Sequence, residues 1–131
     1  MNPKQFLTLG GIVLALVGIL GMIGILGPTA DQSIFGSSWW FDAGENWAHL
    51  VLGIVALIAA FAFGSGFQSI IAMLVGVVGI IIGLLGFFLG SDTMFNFYGL
   101  ANLENPLDNI LHLAVGAWAL IAWWKVKSGG M

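Results

Sequence analysis

Cysteine is absent from the 131 residues, which excludes disulfides, thiolate nucleophiles and cysteine-held metals. Arginine is absent too, and only Lys4, Lys125 and Lys127 carry positive charge. No basic surface for nucleic acid can be built from three lysines. Charged residues make up 7% of the chain, where a soluble domain carries about 25%. Neither a P-loop nor a glycine-rich dinucleotide-binding opening after a strand occurs, and no nucleophile is set beside a base. Those absences argue against an enzyme. With no polar residue deep in any apolar run, they also argue against a channel or transporter with a continuous hydrophilic path.

What is present is apolar: 60% of the residues are hydrophobic and 20 are glycine. A soluble chain of this size could not hide that much apolar surface, so the bilayer must serve as part of the solvent. No charge occurs between Gln5 and Ala30, or between Leu50 and Ser91. A span needs about 20 residues, so the second run is too long for one helix. Gly64-Ser65-Gly66-Phe67-Gln68-Ser69 divides it. The pattern predicts an all-α integral membrane protein of four transmembrane helices, at about Phe6–Leu26, Ala43–Phe63, Ile70–Leu89 and Pro106–Trp124. The whole chain, 1–131, reads as one membrane domain. The first helix reads as retained, because Pro28-Thr29-Ala30 is a poor cleavage site and the apolar core is long for a signal peptide.

The lysines set an orientation. Lys4 precedes the first span, while Lys125 and Lys127 follow the fourth. The acids Asp31, Asp42, Glu45, Asp92, Glu104 and Asp108 lie in the two longer connections or at the helix starts beside them. The positive-inside rule then predicts cytoplasmic N- and C-termini. Trp123 and Trp124 fit an inner aromatic anchor, and Trp39, Trp40 and Trp47 fit an outer belt.

An offset of 63 residues lays Ile34–Ala59 over Phe97–Ala122 without a gap, and 9 of the 26 aligned positions are identical. Matches of Leu, Ile and Ala are cheap in so biased a composition. Matches of Asn46 with Asn109, and of the only two histidines, His49 with His112, are not. The chain therefore reads as two tandem two-helix repeats, about 6–63 and 69–126. Two helices per unit give both copies the same orientation, related by a pseudo-two-fold axis along the membrane normal.

The shared motif is Glu45-Asn46-Trp47-Ala48-His49-Leu50-Val51-Leu52-Gly53 against Asp108-Asn109-Ile110-Leu111-His112-Leu113-Ala114-Val115-Gly116. Carboxylate, histidine and glycine recur every four residues and share one helix face. Asp42 with Glu45, and Asn105 with Asp108, have capping-box spacing, and Pro106 suits a first helical position. Asn46 and Asn109 suit cross-helix hydrogen bonds. An ionisable side chain inside a span is costly, and its repetition points to function rather than to one buried histidine with ordinary partners. Gly53 and Gly116 leave room beside each imidazole, for a flat cofactor or for another helix. The stripes Gly11, Ala15, Gly18, Gly21, Gly24, Gly27 and Gly76, Gly79, Gly83, Gly86, Gly90 read as helix-packing faces.

The segment Asn105-Pro106-Leu107-Asp108-Asn109-Ile110-Leu111-His112-Leu113-Ala114-Val115-Gly116 resembles the signature of an uncharacterised family of small four-helix bacterial membrane proteins. The likeness is weaker in the first half, where Asp42-Ala43-Gly44 replaces the Asn-Pro-Leu opening. It implies the four-helix architecture and a bacterial cytoplasmic (inner) membrane, and no chemistry.

Three functional expectations follow for a non-catalytic protein. In the first, His49 and His112, with Gly53 and Gly116 beside them, hold a tetrapyrrole, either haem or chlorophyll. In the second, the chain is a structural accessory or assembly subunit of a larger membrane complex, or a homo-oligomer, joined through its glycine-rich faces. In the third, Glu45, His49, Asp108 and His112 hold a divalent metal ion.

Overall fold

The computed structural model describes residues 1–89 and 107–127. Its long helices are α1 (Pro3–Met22), α2 (Ala43–Ala62), α3 (Ser65–Leu89) and α4 (Leu107–Lys127). All four are long and apolar enough to cross a membrane, as expected of a multi-pass membrane protein. Only 22–28% of each span is buried inside the protein, so most of its apolar surface faces outward, where lipid would lie. Asp92, Glu104, Asn105 and Pro106 fall outside the described residues.

Helix boundaries follow local chemistry that apolar runs alone do not reveal. α1 starts at Pro3 rather than Phe6, because Asn2 and Gln5 form a capping box: the Gln5 N–H donates to Asn2 Oδ1 at 2.8 Å and the Asn2 N–H to Gln5 Oε1 at 3.0 Å. It ends at Met22 rather than Leu26, since Gly24 (φ +88°) and Gly27 (φ +156°) take backbone angles that other residues rarely adopt. α3 starts at Ser65, five residues earlier than Ile70. The polar stretch before Ile70 is thus mostly helix, and Gln68 is buried within it. Its side-chain NH₂ donates to the carbonyls of Ala59 (3.2 Å), Ala60 (2.8 Å) and Phe63 (3.0 Å). Those carbonyls belong to the unpaired last turn of α2. One glutamine therefore caps the preceding helix where water is scarce.

The helices pair as two antiparallel hairpins, α1 with α2 and α3 with α4, each packed far more closely than the hairpins are to each other. Glycine sets that closeness. A Cβ added to Gly53 would lie 2.6 Å from the Ala15 nitrogen and 2.7 Å from the Gly11 oxygen. One added to Gly116 would lie 2.8 Å from the Ile80 nitrogen and 2.9 Å from the Gly76 oxygen. Likewise Gly18 abuts the Asn46 carbonyl and Leu50, and Gly83 abuts the Asn109 carbonyl and Leu113. At Gly53 and Gly116 these contacts are backbone on backbone, where no side chain can turn away.

The hairpins meet chiefly at the end that carries Met1. Phe6 and Leu7 of α1, Ala59 and Ala60 of α2, Ala72 of α3, and Ala119 and Ala122 of α4 form one buried cluster there. Phe6 stands edge-on to Trp118 with ring centroids 4.6 Å apart, and the Trp118 Nε1–H points at Met1 Sδ at 3.0 Å. Alanine lets four helices converge because its side chain adds almost no thickness.

Two substitutions test these contacts. Gln68→Leu takes both amide protons away from the carbonyls at the end of α2 and should destabilise the protein by about 1–3 kcal/mol. That should register as a clear fall in the melting temperature in detergent. Gly21→Ala places a methyl group on Asn46 Oδ1 and should cost about as much by overpacking, about 1–3 kcal/mol. Gly10→Ala, at a glycine with open space around it, is the neutral control.

Candidate functional site

The end opposite Met1 gathers the polar residues of the motif. Asp42 caps α2: the Glu45 N–H donates to Asp42 Oδ1 at 2.9 Å, and Glu45 Oε1 accepts from the Asp42 N–H at 3.2 Å. The expected capping box is therefore present in the first half. Its counterpart, Asn105 with Asp108, lies outside the described residues. Glu45 and Asp108 are 4% and 3% exposed, and burying a carboxylate that deeply needs compensation. Each sits in the first turn of its helix, where the unpaired N–H groups and the helix dipole favour negative charge.

Asp108 has a second support from the other hairpin. The Trp39 indole N–H donates to Asp108 Oδ1 at 2.9 Å. Trp39 sits on the connection between α1 and α2, and that connection is folded. The Ile34 N–H donates to the Ile25 carbonyl at 2.9 Å and the Phe41 N–H to the Leu26 carbonyl at 2.8 Å. Ser33 Oγ donates to the Trp39 carbonyl at 2.6 Å and accepts from the Phe35 N–H at 3.1 Å. An aromatic series then runs inward, from Phe35 to Trp39 (5.4 Å), Phe41 (5.1 Å) and His49 (4.9 Å), between ring centroids. Trp39 thus works inside this series rather than as a belt residue, whereas Trp47 is 61% exposed, as a belt residue would be.

The two asparagines are fully buried. Asn46 Nδ2 donates to the Phe41 carbonyl at 3.3 Å, within its own hairpin, rather than across to another helix. Asn46 Oδ1 abuts Gly21 of α1 and has no hydrogen-bond partner among the described residues. Asn46 therefore ties the incoming loop to the α1–α2 seam.

His49 and His112 sit one turn further into α2 and α4. Asp108 and His112 both act electrostatically on His49, so the two imidazoles and this carboxylate share one neighbourhood. His112 Nδ1 lies 2.7 Å from the Asp108 backbone oxygen. A carbonyl only accepts, so Nδ1 carries the proton and, in the neutral ring, Nε2 keeps its lone pair. His49 Nδ1 is buried with no hydrogen-bond partner among the described residues, and Phe41 stands edge-on to its ring.

Gly53 and Gly116 are occupied differently from a ring-binding expectation. Their open faces are filled by the backbones of α1 and α3, so the room beside each imidazole at these positions belongs to a neighbouring helix. Among the described residues, no group of three or more His, Asp or Glu is disposed to hold a metal ion. The residues that sequence patterning missed are Trp39, read as interfacial, and Phe41. Neither belongs to the repeated motif, and no local spacing joins Trp39 to a carboxylate 69 residues away.

Removing only the indole donor tests the inter-hairpin contact. Trp39→Phe keeps an aromatic ring but leaves Asp108 one hydrogen bond short, with an expected loss of about 1–3 kcal/mol. Thermal unfolding in detergent measures it. Trp40→Phe should change stability by less than about 0.5 kcal/mol. Equal effects from the two variants would reduce the Trp39–Asp108 bond to an incidental contact.

No protein-family model matches the chain, and neither a curated protein nor a solved structure matches it.

Proposed function

We infer that the protein is a non-catalytic membrane protein built of two tandem hairpin repeats, whose two histidines hold the metal of a tetrapyrrole. The carrying observation is the bond from His112 Nδ1 to the Asp108 carbonyl. Metal-ligating histidines characteristically donate their second ring nitrogen to a carbonyl or carboxylate, which fixes the tautomer and leaves Nε2 free to bind. Haem fits this donor set better than a bare ion. It needs two axial nitrogens and supplies its other four ligands itself. Bound haem would provide a redox-active iron, and the role of the chain would be to hold and orient it. Chlorophyll, which needs one imidazole, is the related possibility.

The repeat reading draws support from the glycine contacts. Gly53 and Gly116 differ by 63 in number, as do Asn46 and Asn109, while their partners Gly11 and Gly76, Ala15 and Ile80, and Gly18 and Gly83 differ by 65. A second copy whose connection is two residues shorter accounts for both offsets. Lys4 and Lys125 lie toward the Met1 end and the described acids toward the other, which supports cytoplasmic termini by the positive-inside rule.

A second reading, a structural accessory subunit, is favoured by a separate observation. Glu45, Asn46, Gly53, Asp108 and Gly116 are all engaged in holding the fold. One experiment separates the two. The protein is purified in mild detergent, titrated with haemin, and followed by absorption. The cofactor reading expects a sharpened Soret band at fixed stoichiometry, lost in His49→Ala and in His112→Ala. No spectral change in the unaltered protein overturns it and leaves the accessory role, for which a stoichiometric partner should co-purify.

A further inference from the structure

We propose that the Met1 end of α1 carries a selective site for one anionic phospholipid, with its phosphate on Lys4 and an acyl chain in the groove beside it. A groove of about 600 Å³ runs along α1 there, walled on one side by Phe61 of α2. That volume falls within the range of small-molecule sites, about 300–1,000 Å³. Lys4, Thr8 and Ile12 are spaced four apart and so form one stripe, with Leu9 beside it. From Lys4 to Ile12 the groove descends about 12 Å along the helix, and its polarity falls steadily on the way.

The polar groups at the mouth are mostly committed. Thr8 Oγ1 donates to the Lys4 carbonyl at 2.7 Å, and Gln5 Oε1 accepts from the Asn2 N–H. The Met1 α-ammonium at the mouth is engaged by Lys125, and the second charge there is the Lys4 ammonium. It is held over the Phe61 ring, 5.5 Å from the centroid, which aims it at the groove. Among the described residues the acids Asp31, Asp42, Glu45 and Asp108 all lie in or beside the loop end, so none of these four neutralises it.

The occupant must therefore bear an anion at headgroup depth and an apolar chain reaching one to two turns into the hydrocarbon. A soluble anion satisfies the first requirement only, and a zwitterionic lipid offsets its own phosphate. An anionic glycerophospholipid satisfies both. This site is independent of the histidines and of any cofactor.

Native mass spectrometry of the full chain in detergent, with equimolar phosphatidylglycerol and phosphatidylcholine of identical chains, tests the site. We expect one phosphatidylglycerol to be retained several-fold in preference. Lys4→Gln should abolish the preference and Lys4→Arg should keep it. Leu9→Trp, which fills the groove, should reduce retention of that one lipid. Glycerol phosphate, lacking chains, should not displace it. Equal retention of the two lipids, or a preference that survives Lys4→Gln, overturns the proposal.

Discussion

Everything in this fold depends on how closely two helix backbones can approach. In lipid, apolar side chains gain nothing by leaving the solvent, so helices associate through van der Waals contact and the few polar bonds they can form. Here that contact is made at glycine. Gly53 lies on the Gly11–Ala15 segment and Gly116 on the Gly76–Ile80 segment, each near enough that a methyl group would meet backbone nitrogen and oxygen. Each hairpin is therefore a rigid unit, whereas the hairpins join by alanines at one end and by an indole–carboxylate bond at the other.

That division explains where the polar residues go. A hairpin sealed by glycine leaves no polar groups in its middle to satisfy, and what remains collects at the ends. At the loop end Asp42, Glu45 and Asn46 bond to N–H and carbonyl groups that a helix start and an incoming loop leave unpaired, and Asp108 accepts from the Trp39 indole N–H. At the other end Gln68 performs the same task for three carbonyls of α2. The buried carboxylates are affordable only because both stand at helix N-termini, and Asp108 has an indole donor as well.

The four helices were legible from hydropathy because a charge-free run is a long-range statistical signal. Their ends were less so. α1 begins three residues early on an Asn2–Gln5 box, and α3 five residues early on what looked like a polar turn. Gln68 illustrates the difficulty: in sequence it is a polar residue between glycines, and only the preceding helix end shows it to be a cap. The 63-residue offset was legible in the second helices, where Asn and His matched. Under the proposed repeat, the corresponding offset between α1 and α3 is 65, and the matched residues are glycines among interchangeable Leu, Ile and Val. The capping role of Glu45 was readable from spacing, whereas the Trp39–Asp108 bond was not, since sequence carries no trace of which loop folds over which helix.

The glycines bear most directly on function. A His-x-x-x-Gly spacing invites a flat ring beside the imidazole, yet the same spacing is what a close helix pair requires, and at Gly53 and Gly116 the helix pair has taken the space. The faces of α2 and α4 at Gly53 and Gly116 are thus closed, while Asp108 and His112 act on His49 from the neighbouring hairpin. Phe41 stands against the His49 ring, and the loop that carries it is fastened by Trp39 to Asp108. The contact between the hairpins is the looser one among the described residues. The closely packed hairpins fix the position of each imidazole along its helix, and the seam between the hairpins sets the distance from one imidazole to the other.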